Sequence, residues 1–282
     1  MKLVDAHQHY WMLKRGDYAW LTPREGSLFR DFEPRDLLPA LTDCGVIATV
    51  LVQAAATEAE TRFLIDLARA HTSIAGIVGW VDFESPDVDR RIRRLIAEGG
   101  GKLKGFRPMI QDIRDTAWLD KTTLDSAFDA IVECDLTFDA LVNLSHLEAL
   151  ARRLRKHPRL RAVLDHGGKP DIAHDGLGSW AGQLTRLAGV GSLHCKLSGL
   201  LTQARSGAAA ADLDDYVAHI FTCFGPERVM WGSDWPVITL STTYQSWLTM
   251  ALALVKRHAP GHLQAVFADN ARRFYGLNYK GE

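Results

Sequence analysis

Val46–Ala54 reads VIATVLVQA, an almost unbroken apolar run rich in β-branched side chains. A strand wetted on one face alternates polar and apolar residues, whereas a run like this fits a strand covered on both faces, as in a parallel sheet flanked by helices. Working outward, comparable runs recur at Leu3–His9, Ile74–Val81, Lys102–Pro108, Leu136–Asn143, Arg161–His166, Leu193–Gly199 and Arg228–Asp234. Amphipathic stretches separate them; in Glu58–His71, residues Phe63, Leu64, Leu67 and Ala68 fall on one face at helical spacing. Repeated strand–helix units of this kind predict an α/β fold, a (β/α)8 TIM barrel. Gly45, Gly76 and Gly99 stand near the ends of predicted helices, where a left-handed residue turns the chain back to the sheet. The competing doubly wound sheet lacks its main support, because no G-x-G-x-x-G follows the first strand and no Walker loop occurs.

The 282 residues, 47% hydrophobic and 24% charged, suit one barrel domain over 1–282. A net charge of −1 offers no positive field for nucleic acid or an anionic membrane. No apolar run approaches the roughly 18 residues that span a bilayer, and MKLVDAHQHYW places Asp and two His where a leader would be greasy. The expected location is cytoplasmic. Cys44, Cys134, Cys195 and Cys223 show no C-x-x-C spacing, which predicts reduced, mostly buried thiols. No heptad pattern specifies an oligomeric state. The loop from Tyr10 to Pro34 is long for a compact domain and leaves the C-terminal end of the first strand, so Trp20 is either a pocket wall over the mouth or part of a surface loop pinned by a buried Trp.

Residues i and i+2 of a strand share a face, so His7 and His9 of DAHQH project together. Taken alone, His-x-His is equally compatible with a hydrogen-bonded core pair. Its place at the C-terminal end of a barrel strand favours chemistry, since barrel enzymes gather their reactive groups there. His166 closes the sixth predicted strand (AVLDHGGKP) and Asp234 the eighth (VMWGSDWP), at the same mouth. A carboxylate at an apolar strand end needs a cation, a histidine or a reacting water nearby; the plainer reading of Asp234 is a helix N-cap. Strand alternation places Asp165 away from the mouth if His166 faces it, in a structural salt bridge. Lys196 and Ser198 share one face of the seventh strand, Ser198 nearer the mouth, without a G-x-S-x-G elbow for a serine nucleophile.

With these residues in view, the chain resembles the amidohydrolase superfamily, in its branch of barrel lactonases. His-x-His at His7 and His9, DHGGKP at Asp165–Pro170 and WGSDWP at Trp231–Pro236 carry the likeness, with KGFRP at Lys104–Pro108 and KLSG at Lys196–Gly199. The resemblance implies His7, His9, His166 and Asp234 as the catalytic quartet and as the metal-ligand set. Many relatives hold two metals with a bridging Lys or Glu at the fourth strand; here that strand ends in Gly105, Phe106, Arg107 and the fifth in Leu141, Val142, Asn143. A binuclear site is not expected, and the cofactor implied is one Zn2+ or other divalent ion, essential or dispensable. The activity implied is opening of a sugar-acid lactone of the L-fuconolactone or L-rhamnonolactone type, with Asp234 as base for water and the three imidazoles polarising the carbonyl. Arg107, His146, Trp20, Gln53, Asn143 and Trp80 lie at or past predicted strand ends and are the expected substrate-binding groups. Metal-dependent nonoxidative decarboxylation, amide hydrolysis and a non-catalytic sugar-acid binder are the alternatives on the same barrel.

Overall fold

A computed structural model describes residues 1–191 and 193–278 of the chain. Among these residues eight parallel strands form one sheet in sequence order: β1 (Leu3–Gln8), β2 (Val46–Val52), β3 (Ile74–Gly79), β4 (Leu103–Phe106), β5 (Thr137–Ala140), β6 (Arg161–Leu164), β7 (His194–Leu197) and β8 (Val229–Trp231). The barrel closes at its mouth, where Gln8 bridges Trp235, the His9 amide donates to the Trp235 carbonyl at 2.7 Å and the Asp234 amide to the His7 carbonyl at 2.8 Å. The helices between strands are α1 (Pro34–Cys44), α2 (Glu58–Ala70), α3 (Val88–Gly99), α4 (Asp125–Glu133), α5 (Leu147–Lys156), α6 (Gly178–Ala188) and α7 (Ala210–Phe224); α8 (Tyr244–His258) and α9 (Asn270–Tyr275) follow β8. The (β/α)8 reading of the sequence holds. No helix among the described residues is long and apolar enough to cross a membrane.

Local chemistry sets the ends of the helices. The Thr57 hydroxyl accepts from the Glu60 amide at 3.0 Å and starts α2, and Thr243 starts α8 in the same way. Gly45 ends α1 at φ +70°, as its position predicts. Two glycines differ from expectation. Gly76 lies inside β3, where a Cβ would come within 2.8 Å of Leu277 and 2.9 Å of Lys104; Gly99 is the last residue of α3, and Gly100 at φ 55° makes the turn. The inner face of α2 is also rotated from the predicted stripe: Thr61, Leu64, Ile65 and Ala68 are buried, while Phe63 and Leu67 are half-buried.

Small apolar residues of the strands, Val4, Ala6, Ala48, Val50, Val52 and Val78 among them, pack with Phe274, Tyr275 and Leu277 from the end of the chain. Lys104 Nζ donates to the Gly276 carbonyl and Arg161 Nη1 to that of Phe274, both at 2.9 Å, so this C-terminal segment crosses the end of the barrel opposite the mouth. The long loop after β1 is pinned by Trp11, whose backbone exchanges hydrogen bonds with Phe32 and whose indole donates to the Arg30 carbonyl at 2.8 Å. Trp20 then reaches the end of β2, its indole donating to the Ala54 carbonyl at 2.7 Å. Both readings of this loop are realised, by different tryptophans.

Candidate active site

The pairing register of β1 against β2 slips between Asp5 and Gln8. This irregularity lets Asp5 bond outward to the Ser233 amide and Tyr244 hydroxyl while His7 and His9 meet, their Nε2 atoms 3.1 Å apart. His166 and Asp234 come from the ends of β6 and β8 with left-handed backbones, φ 55° and 58°. The three imidazole Nε2 atoms converge on one oxygen, Asp234 Oδ1, at 3.6 Å (His7), 3.4 Å (His9) and 4.0 Å (His166). All four side chains are buried.

The hydrogen-bond network assigns the ring protons. His9 Nδ1 lies 2.7 Å from the Val52 carbonyl, which can only accept, so Nδ1 carries a proton and Nε2 is the ring atom that faces the Asp234 carboxylate. His166 Nδ1 pairs with Ser198 Oγ at 2.9 Å. Lys196 Nζ stands 3.1 Å from His7 Nδ1 and Arg107 Nη1 3.4 Å from its Nε2, so a cationic donor flanks each ring nitrogen of His7. A proton or a cation must separate so many electron-rich atoms. Zinc ligands about 2.1 Å from the ion in tetrahedral geometry are roughly 3.4 Å apart, and the contacts among His7, His9 and Asp234 run from 3.1 to 3.6 Å. The donor set fits one divalent ion on those three residues. His166 stands slightly back.

Charge and burial tune the groups in opposite directions. For Asp234, burial alone would raise the pKa, but His166, His9 and His7 together hold it below the ordinary carboxylate range. Burial lowers His166 to about 4 against the pull of Asp234. His7 is lowered well below the usual histidine value by burial and then by the Lys196 charge. Each of the three stays in the form suited to accept a proton or a cation at neutral pH.

Asp165 differs from the sequence reading: it does not face away but lies directly under the cluster, 3.5 Å from His7 Nδ1, in ion pairs with Arg107 Nη1 and Lys196 Nζ, each at 3.1 Å. The cause is the left-handed turn at His166, which breaks the alternation and brings consecutive residues to one side. Lys196 and Ser198 share a face, as their spacing predicts, and the structure turns that face to the interior, with Ser198 nearer the mouth.

A cavity of about 290 Å³ opens above the quartet, walled by His9, Trp20, Arg107, His166, Lys169 and Asp234. Of the six expected substrate groups, Arg107 and Trp20 line it. Trp80 lines an adjoining cavity of about 480 Å³ on the far side of Trp20. Gln53 is buried one step behind, accepting from Arg107 Nη2 at 2.8 Å. Asn143 and His146 hold the loop after β4: Asn143 Nδ2 donates to the Gln111 carbonyl at 3.0 Å, and His146 bonds the Asn143 amide and the Ile113 carbonyl through its two ring nitrogens. Sequence reasoning missed Lys169 and Gln111 in the wall, and Asp139 below it, which binds Lys196 Nζ at 2.6 Å. Lys169 was visible within DHGGKP.

Comparison with known proteins places this geometry in a family. The chain is 40% identical over 279 residues to an L-fucono-1,5-lactonase of Burkholderia ambifaria, covering 98% of this chain and 96% of that one. It is 35% identical to an L-fucono-1,5-lactonase of Burkholderia multivorans, covering 97% and 96%. A crystal structure of an amidohydrolase from Burkholderia multivorans with bound zinc superposes with a TM-score of 0.92 at 32% identity, over 99% of this chain and 100% of that one. The amidohydrolase family profile (Amidohydro_2) matches residues 4–277. With its barrel, its His-x-His pair and its strand-end His and Asp all within that span, the chain belongs to the amidohydrolase family.

Proposed function

We propose that this protein hydrolyses a sugar-acid lactone, an L-fucono-1,5-lactone or a close aldonolactone, to the free acid. The observation that carries the reading is the convergence of three imidazoles on one buried carboxylate, in a chain similar over nearly its whole length to lactonases. A lactone needs a base for water, a positive field for the oxyanion and a proton for the departing ring oxygen. Asp234, ionised at neutral pH, takes the proton of the attacking water and returns it to the ring oxygen. Arg107 and the imidazoles orient the carbonyl, and Trp20 supplies a flat wall for the ring. His7, His9 and Asp234, with His166 at the edge, would hold a zinc or similar ion, which supplies Lewis-acid polarisation of the carbonyl when bound.

Acid release from a panel of aldonolactones tests the proposal, with wild type and Asp234→Asn compared before and after treatment with a strong chelator. Wild type should open the L-fuconic lactone, and Asp234→Asn should lose about 10³-fold in kcat, the usual scale for a positioned base. An unreactive wild type across the panel, or a variant with near wild-type turnover, would overturn it.

A further inference from the structure

Lys169 is the cation of this site that no carboxylate contacts; Asp234 and Asp112 act on it only from a distance. Its Nζ donates to Gln111 Oε1 at 2.6 Å, and among the described residues it makes no ion pair. The other basic groups near the site are neutralised: Lys196 by Asp139 and Asp165, and Arg107 by Asp165 with Gln53 alongside. Lys169 nevertheless sits in the cavity wall with Asp234 and His166, and burial lowers its pKa. Withdrawing an ammonium from water with a neutral amide as its hydrogen-bond partner and no carboxylate in contact is unfavourable. Its backbone adds strain, being left-handed at φ 54° without a glycine to relieve it.

Two elements nonetheless aim the side chain. The run from His166 to Lys169 is left-handed throughout, and the Lys169 amide returns to the His166 carbonyl at 2.9 Å. Opposite, Gln111 is fixed by its backbone, the amide donating to the Leu141 carbonyl at 3.0 Å and the carbonyl accepting from Asn143 Nδ2 at the same distance. An unpaired charge held in place on a cavity wall points to an anion that arrives and leaves. Lactone hydrolysis generates two from a neutral substrate: the tetrahedral oxyanion and then the product carboxylate.

We infer that Lys169, aimed by Gln111, is a further catalytic residue: its ammonium binds the oxygen anion that forms at the lactone carbonyl and then the carboxylate of the acid. No covalent bond to Lys169 forms, and its proton stays on Nζ. This inference rests on the lactonase reading and names the group that stabilises its charge.

The test compares wild type with Lys169→Met and Lys169→Arg, measuring kcat and KM for a hydrolysed aldonolactone, inhibition by the product aldonate, inhibition by the uncharged 1,5-anhydroalditol of the same ring, and the thermal midpoint. Lys169→Met should lower kcat about 100-fold, the scale of losing one oxyanion donor. It should weaken aldonate inhibition about tenfold, leave the uncharged inhibitor unchanged, and hold or raise the thermal midpoint because a buried charge without a contacting carboxylate is gone. Lys169→Arg should recover part of the aldonate binding. The inference is overturned if Lys169→Met keeps kcat within about threefold of wild type, or if both inhibitors weaken equally, which marks a shape defect. Were wild type to open no lactone, the proposed function would fall, while calorimetric titration of both proteins with an aldonate would still decide whether Lys169 binds the anion.

Discussion

At His166, burial and a neighbouring carboxylate act against each other, and burial wins, so the ring is neutral in the folded protein down to about pH 4 against an ordinary value of 6.5. Between those two values the unfolded chain binds a proton that the folded chain does not, so stability rises with pH across this window and is lost as pH falls from 6.5 towards 4. The displaced titration amounts to roughly 3 kcal/mol. His7 adds in the same direction, and Asp234, whose pKa is depressed, adds a separate loss that begins only below its ordinary value of 3.8. Chemical denaturation at a series of pH values should therefore show a slope between pH 6.5 and 4 that His166→Gln partly flattens; an identical slope in the variant would count against the assignment. Residue identity was the most legible layer of this site. The strand-end positions of His7, His9, His166 and Asp234 are readable from DAHQH, DHGGKP and WGSDWP, because each motif ends an apolar run. Lys169 escaped notice because a lysine in a turn looks like a solvated one until its neighbours are known.

The turns after β6 and β7 are built against each other, and this is where elements, rather than residues, set the geometry. Gly199 has φ +61°, and a Cβ there would lie 2.4 Å from His166 Nδ1. Gly199→Ala would thus meet both a strained backbone, costing about 1–3 kcal/mol, and a collision that only movement of the imidazole relieves. We expect the His166–Ser198 hydrogen bond to break and lactone turnover to fall at least about tenfold, as misplacement of a reacting group by an ångström can do, with the far-UV spectrum unchanged. A kinetic profile equal to wild type would mean that this contact does not position His166. All eight strands lie where apolar runs predict them, yet they are shorter: Leu136–Asn143 was expected and β5 spans Thr137–Ala140. Apolar residues continue past the last ladder bond because the mouth loops are themselves buried, so composition does not mark where pairing stops. The phase of α2 was misjudged for a related reason, since Thr61 is turned inward by its hydrogen bonds with the Trp80 backbone.

Across the whole molecule, the barrel interior is a column of charge from the C-terminal segment to the mouth. Tyr275 donates to Asp139 Oδ2 at 2.7 Å, Lys196 joins Asp139 and Asp165 and reaches His7, and Asp165 passes the chain of contacts to Arg107. Lys196→Met would leave Asp139 with the Tyr275 hydroxyl but no cation and take one of two cations from Asp165, and should destabilise the protein by about 3–5 kcal/mol, read as a lower urea midpoint; a midpoint equal to wild type would show that the column is not what holds the interior together. The order of apolar runs and helical stretches is enough to specify a barrel with three histidines and an aspartate at its mouth, because burial on both faces is written locally in each strand. The directions of those side chains were settled only by closure. The slipped register of β1 against β2 and the left-handed turns at His166 and Asp234 lie at the mouth, where the ends of β1, β6 and β8 converge, and the turn at His166 overrules the two-residue alternation that placed Asp165 outside. Local sequence carries the period of a strand; which neighbours it must accommodate is a property of the closed sheet.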